Sequence, residues 1–169
     1  MVVISIAESP GIRVQVHFKA GSLQRISLFS SPDFSLDPQF CPPDQVEVFT
    51  AWMHAYAKGK TIPMHLPLPH DTFRGDVLRF LLTIPRGSVC SYQEVAKSVG
   101  SPRAARAVGN ICRGNLFPLL IPCHRVIRSD GGLGHYTPDP SLKRQLLHFE
   151  GAAFLEEPDS SFCSSAGSC

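Results

Sequence analysis

The chain has 169 residues, 43% hydrophobic and 18% charged, which suits one globular domain or two small ones and not a disordered or fibrous protein. Its net charge of +2 says little about partners, but the charge is unevenly placed. Residues 86–128 carry seven basic side chains (Arg86, Lys97, Arg103, Arg106, Arg113, Arg125, Arg128) against Glu94 alone, while residues 1–70 balance and the tail after 155 is acidic.

In chain order, IRVQVHF (12–18) alternates, with Ile12, Val14, Val16 and Phe18 on one face. With the KAGS turn and LQRISLF it reads as a β-hairpin. A Pro-rich loop, PDFSLDPQFCPP, leads to a helix near 44–58 that turns Val46, Phe49, Met53 and Tyr56 inward. TIPMHLPLP has too many prolines for a helix and is expected to be an extended connection. A boundary near 69 divides a small N-terminal α/β unit (1–69), with a hairpin and sheet, from a mainly helical unit (70–154). The class is α+β.

The second unit opens with a helix over about 72–84, with Phe73, Val77, Phe80 and Leu81 or Leu82 inward. Ser91 and Glu94 form an S-x-x-E capping box. Gly100 is placed as a stop, Ser101 as the next N-cap and Pro102 as the first residue of a helix running to 112. Two short helices joined by a tight turn make a helix-turn-helix pattern. A last helix, 141–150, turns Leu142, Leu146 and Phe149 inward and ends at Gly151. The residues from 155 to 169 are small, polar and aperiodic, and are expected to be a disordered tail.

On the second helix of the pair, Ala104, Val108 and Ile111 share the inward face. Arg103, Arg106, Ala107 and Asn110 face the other way, with Arg113 just beyond. A solvated basic face is the ordinary alternative. Against it stand the helix-turn-helix pattern and the small residues Ala105, Ala107 and Gly109, which would let a backbone approach nucleic acid closely. No set of side chains is spaced for a clear base code, so phosphate contacts and weak sequence preference are expected.

The stretch GNLFPLLIPCHRVIRSDGG places a thiol, Cys123, beside an imidazole, His124. A buried structural thiol is the competing reading of Cys123. As a nucleophile it would need a cationic neighbourhood and a base to bring its pKa down toward about 7. On an extended segment the two side chains point apart, so His124 would act through a bridging water. It would then need an orienting carboxylate. Asp130, Asp139, Glu150 and the tail acids are the choices. Glu150 stands out because it ends a helix, where a negative charge opposes the helix dipole; an ordinary surface Glu is the alternative.

The six cysteines (41, 90, 112, 123, 163, 169) form no C-x-x-C pair and no zinc-like spacing with histidine. Cys90 and Cys112 read as small core residues. No apolar run would span a bilayer, and MVVISIAESPGIRV lacks the pattern of a signal peptide. Free thiols in a reducing compartment are therefore expected, cytoplasmic or nuclear and not secreted.

IPCHRVI, preceded by SYQEVA, RAARAVGN and RGN and followed by GGLGHY and HFEG, closely resembles the O6-alkylguanine-DNA alkyltransferase family over about 72–151. Residues 1–70 match only in layout. The resemblance implies a stoichiometric reaction with duplex DNA, bound from the minor groove by a monomer, without cofactor or metal. Cys123 would take the alkyl group from O6 of a flipped guanine. His124 would deprotonate it through water, and Glu150 would orient His124. Tyr92 would bond the base at N3 and donate a proton, Arg106 would fill the vacated stack, and Asn115 would brace the turn after the recognition helix. Val126, Gly134, Tyr136 and Thr137 would line the guanine pocket, the carbonyls of Cys123 and Val126 would accept from its amine, and Pro118 would pack on the alkyl group. His135, Thr137 and Asn110 depart from common family residues.

Two other classes compete. One is a DNA-binding lesion sensor or regulator with an incidental thiol. The other is a Cys-His hydrolase, disfavoured because no oxyanion-hole motif is visible.

Overall fold

The computed structural model describes residues 2–4, 9–60, 62–134, 136–137 and 139–155; the expected tail beyond 155 and the departure at His135 lie outside them. The fold is mixed α+β. The N-terminal sheet has the order β1-β4-β2-β3, built from β1 (Val2–Val3), β2 (Ile12–Lys19), β3 (Ser22–Ser30) and β4 (Ser35–Asp37). β2 and β3 form the expected hairpin, with Ile12, Val14 and Val16 buried. The Pro-rich stretch is not simply a loop. Ser35–Asp37 pairs in parallel with Arg13–Gln15, and Phe34 and Leu36 are fully buried. Three residues are too few to show alternation, so this strand had no periodic signal.

Helix α1 (Pro43–Ala57) lays Phe49, Trp52, Met53 and Tyr56 into the core. Val46 is only partly buried, and Trp52 replaces it on the inner face. α2 (Phe73–Leu81) is capped by the Thr72 hydroxyl, which accepts from the Gly75 amide at 3.0 Å. It ends three residues earlier than expected and buries Val77, Leu78 and Leu81; Phe73 and Phe80 are half-buried, and Leu82 is exposed.

The next elements position the site. β5 (Cys90–Ser91) pairs in parallel with β6 (Val126–Ile127), joining Cys90 to Val126 and Ser91 to Ile127. α3 (Tyr92–Ser98) begins at once, with the Ser91/Glu94 capping box formed in both directions. Gly100, at φ 74°, closes α3: its amide bonds to Lys97 O and that of Ser101 to Ala96 O, a Schellman pattern. α4 (Ala105–Arg113) starts later than expected. Ser101 does not cap it. The Ser101 carbonyl takes the Ala104 amide at 2.9 Å in a turn, and Ala104 precedes the helix with no side-chain cap. Pro102 therefore lies in the turn, its carbonyl accepting from the Gln93 side-chain Nε2.

α5 (Pro140–Glu150) is capped by Asp139 and ends at Gly151. It buries Leu142, Leu146 and Leu147 together with Lys143 and Glu150, while Phe149 is only half-buried. One hydrophobic cluster runs from Ile12 and Phe34 through Met53 and Leu81 to Ile121 and Leu146, so both units share a core. Among the described residues, no helix is long and apolar enough to cross a membrane.

Candidate active site

The segment before the thiol is tightly folded. Ile121 N bonds to Phe117 O at 2.8 Å, Pro118 bridges Ile121, and Leu119 takes a left-handed φ of 75°. Such a conformation costs a non-glycine residue about 1 kcal/mol or more. Cys123, His124 and Arg125 are not extended. They form a single 3-10 turn after Pro122, then run into β6. The premise that neighbouring side chains must point to opposite faces fails here, because the turn rotates them.

Cys123 is buried, 4% exposed. Asn115 Nδ2 donates to its Sγ at 3.1 Å and to Ile121 O at 3.0 Å, while Asn115 Oδ1 accepts from the Phe117 amide. One side chain thus ties the end of α4 to the sulfur. Burial pushes the thiol up; the Asn115 bond and the Lys143 charge oppose it without reversing it. The expected fall in pKa does not occur: desolvation outweighs one hydrogen bond and one nearby charge. The buried Tyr136 hydroxyl also faces the thiol, without a hydrogen bond of standard geometry.

His124 is wholly buried, and its Nε2 lies 3.0 Å from Glu150 Oε1. Arg125 grips the same carboxylate with Nε on Oε2 and Nη2 on Oε1, both at 2.8 Å. Tyr56 donates its hydroxyl to Oε1 at 2.7 Å. Burial alone would push Glu150 up; hydrogen bonds and charge from His124 and Arg125 more than reverse this and hold it well below the carboxylate range. An ionised carboxylate can only accept, so His124 Nε2 carries the proton. Burial lowers the His124 pKa, which keeps the ring neutral at neutral pH. Its Nδ1 is buried and has no hydrogen-bond partner among the described residues, leaving a basic lone pair available.

Tyr92, first residue of α3, lies against α4 and within electrostatic reach of Cys112 and Cys123. A Cβ on Gly109 would lie 3.9 Å from the Tyr92 ring, and one on Gly134 would lie 3.5 Å from it. The buried thiol is linked to the end of α4 through Asn115 and lies within electrostatic reach of Cys112 on that helix. Burial pushes the Tyr92 hydroxyl up to about 12. Lys143 is fully buried; its Nζ donates to Val126 O at 2.6 Å and Leu133 O at 2.5 Å and lies 5.8 Å from the centre of the Tyr92 ring. Burial lowers it to about 8.

Of the other expected residues, Pro118, Val126 and Tyr136 are buried, Gly134 is half-buried at φ 67°, and Thr137 is exposed. Arg103, Arg106, Asn110 and Arg113 are exposed on or beside α4, while Ala105, Ala107 and Gly109 are half-buried. The basic patch is smaller than the sequence suggested. Arg125 is bound to Glu150, and Arg86 reaches inward to Tyr56 O at 2.6 Å and Phe149 O at 2.9 Å. A cavity of about 550 Å³ lies behind the Cys loop, walled by Trp52, Tyr56, Arg86, Leu119, Pro122 and Arg125; neither Cys123 nor Tyr92 lines it.

Three polar residues at this centre were missed in the sequence. Lys143 carried a signal, since it shares a helical stripe with Leu146, Leu147 and Glu150. Arg125 adjoins His124 but read as surface charge. Tyr56 carried no signal, being 94 residues from Glu150.

Residues 72–152 match the family model of the 6-O-methylguanine DNA methyltransferase DNA-binding domain. The methylated-DNA–protein-cysteine methyltransferase of Mus musculus is 36% identical over 169 aligned residues, covering 87% of this chain and 80% of the mouse protein. The human protein of the same name is 40% identical over 118 residues, 64% of this chain and 57% of its own length. The crystal structure of Mycobacterium tuberculosis OGT in complex with DNA superposes with a TM-score of 0.64 at 30% identity, covering 82% of this chain and 92% of that one. The mouse relationship extends well beyond the matched DNA-binding domain into the N-terminal unit, and the chain belongs to the methylated-DNA–protein-cysteine methyltransferase family.

Proposed function

We propose that this protein repairs O6-alkylguanine in duplex DNA by transferring the alkyl group to its own Cys123, once per molecule. The observation that carries this reading is a buried thiol held by Asn115 in the same turn as a neutral imidazole, whose Nε2 is fixed by Glu150 and whose Nδ1 has no hydrogen-bond partner among the described residues. A thiol that burial keeps protonated needs a base during the reaction, and a neutral His124 supplies one.

In this mechanism the Cys123 proton passes through water to His124 Nδ1, and Glu150 stabilises the imidazolium. Sγ forms a bond to the alkyl carbon as the carbon–O6 bond breaks, and that electron pair stays on guanine. Tyr92 donates a proton to the departing base at N3. Tyr92, raised to about 12 by burial, is protonated at neutral pH, and the proton it donates is replaced through water from the His124 imidazolium, so the net transfer is the thiol proton to guanine. No oxyanion hole is needed because the attacked carbon is sp³. The thioether is stable to hydrolysis, so the protein is consumed.

Reaching O6 requires the base to leave the stack. Arg106, exposed on α4, would occupy the gap, with Arg103 and Arg113 on phosphates and Ala105, Ala107, Gly109 and Asn110 against the minor groove. Pro118, Val126, Gly134, Tyr136 and Thr137 would enclose the base and its alkyl group. The Cys123 and Val126 carbonyls already accept from the Val126 amide and from Lys143, so the guanine amine would use their second lone pairs. A reducing cytoplasmic or nuclear setting would keep the thiol available.

Incubation with duplex DNA containing O6-methylguanine should add a single methyl group to the peptide containing Cys123, with repaired guanine never exceeding one per chain. Cys123→Ala should bind the DNA and gain nothing. Turnover beyond one per chain, or an adduct elsewhere, would overturn the reading.

A further inference from the structure

We propose that Tyr56, contributed by α1 of the N-terminal unit, is a positioning residue of the His124–Glu150 relay. This rests on the reading of that relay given above. The Tyr56 hydroxyl and His124 Nε2 share one oxygen, Glu150 Oε1, at 2.7 and 3.0 Å, and Arg125 Nη2 reaches the same atom at 2.8 Å. A carboxylate oxygen has about two lone pairs, so three donors compete for it. Each donor also takes up some of the negative charge that would otherwise favour a proton on His124.

Tyr56 is held by aromatic and cationic neighbours, with one side on the cavity behind the Cys loop. Its ring stacks on Trp52 at 5.4 Å and 11° and packs against Phe34 and Phe149. The Arg86 guanidinium lies 5.2 Å from the centre of the Tyr56 ring and 4.6 Å from that of Phe149, while donating to the carbonyls of both residues. A buried tyrosine needs some acceptor for its hydroxyl. Here the acceptor is the atom that orients the general base.

The consequence has a direction. The charged groups facing His124 are Glu150, Arg125 and Lys143; those facing Tyr56 are Glu150, Arg125 and Arg86. Removing the hydroxyl changes only the compensation of Glu150. More of the carboxylate's charge then acts on His124, the imidazolium is favoured, and the ring takes up its proton at higher pH. A base already protonated cannot accept from the thiol, so alkyl transfer falls at the acid end.

The test is Tyr56→Phe in the full chain, with Trp52→Phe as a control that disturbs the ring stack and keeps the hydroxyl. Nitrogen NMR titration of the His124 ring in unreacted protein should show Tyr56→Phe protonating at higher pH than wild type, with Trp52→Phe unchanged. The ratio of transfer rates at pH 8 and pH 6 should rise on the order of threefold to tenfold in Tyr56→Phe, a fraction of what acid–base catalysis contributes as a whole. Superimposable His124 titrations, or equal shifts in both variants, would overturn the role. Failure of wild type to methylate Cys123 would instead overturn the proposed function, while the titration of unreacted protein still decides whether Tyr56 tunes His124.

Discussion

At Glu150 two large effects oppose each other. Burial disfavours the charged carboxylate, and four hydrogen bonds from Tyr56, His124 and Arg125 favour it. The bonds win, so the folded pKa lies below the ordinary 4.5. The ionised group therefore contributes stability that is fully present above about pH 4.5 and is lost as pH falls below it. Glu150→Gln should cost on the order of 3–5 kcal/mol at pH 7, because Arg125 loses its counter-charge in a nearly enclosed site. Urea unfolding between pH 2.5 and 7 should then show wild type losing stability more steeply than the variant below pH 4.5. Parallel losses would mean that these contacts do not hold the carboxyl ionised. The same substitution should slow alkyl transfer by loosening His124.

At the scale of elements, the site is assembled by short pieces with strong end signals. Ser91 ends β5 and caps α3, so Tyr92 is placed beside the Cys loop by a two-residue ladder and a capping box together. α5 supplies Lys143 and Glu150 from one inward stripe, two turns apart. α2 is anchored through a close backbone approach: a Cβ on Gly75 would lie 2.0 Å from Pro69 O, which also accepts from Arg79 Nη1 at 2.9 Å. Gly75→Ala must displace the 62–69 connection or the start of the helix. It should lower stability by about 3 kcal/mol, the upper end for overpacking. A loss under about 0.5 kcal/mol in urea unfolding would show that the connection does not constrain α2.

At the scale of the whole molecule, folding sorts the basic residues into two groups. Arg86 and Arg125 turn inward, where they join α1, the Cys loop and α5. Lys97 and Arg128 are exposed, as are Arg103, Arg106 and Arg113 on or beside α4. Binding through this face should be strongly salt-dependent and weakly sequence-dependent. Arg103→Ala and Arg113→Ala should each reduce the slope of log affinity against log salt by about 0.9 if each side chain meets one phosphate. An unchanged slope on duplex DNA would remove that residue from the phosphate-binding face.

The sequence by itself determined whatever depends on neighbours close along the chain: the hairpin, the Ser91/Glu94 box, the stop at Gly100, the end of α5 at Gly151, and the Cys-His stretch with its family resemblance. It did not determine β4, which is too short to show a period, or the start of α4, where Ser101 and Pro102 match a helix opening but serve the turn instead. Only the tertiary structure decided that Cys123 to Arg125 form a turn, that burial holds the thiol protonated, and that Tyr56, Arg125 and Lys143 reach the centre. The physical reason is shared. Desolvation and long-range hydrogen bonds depend on which distant residues exclude water around a group, and a local pattern carries no record of them.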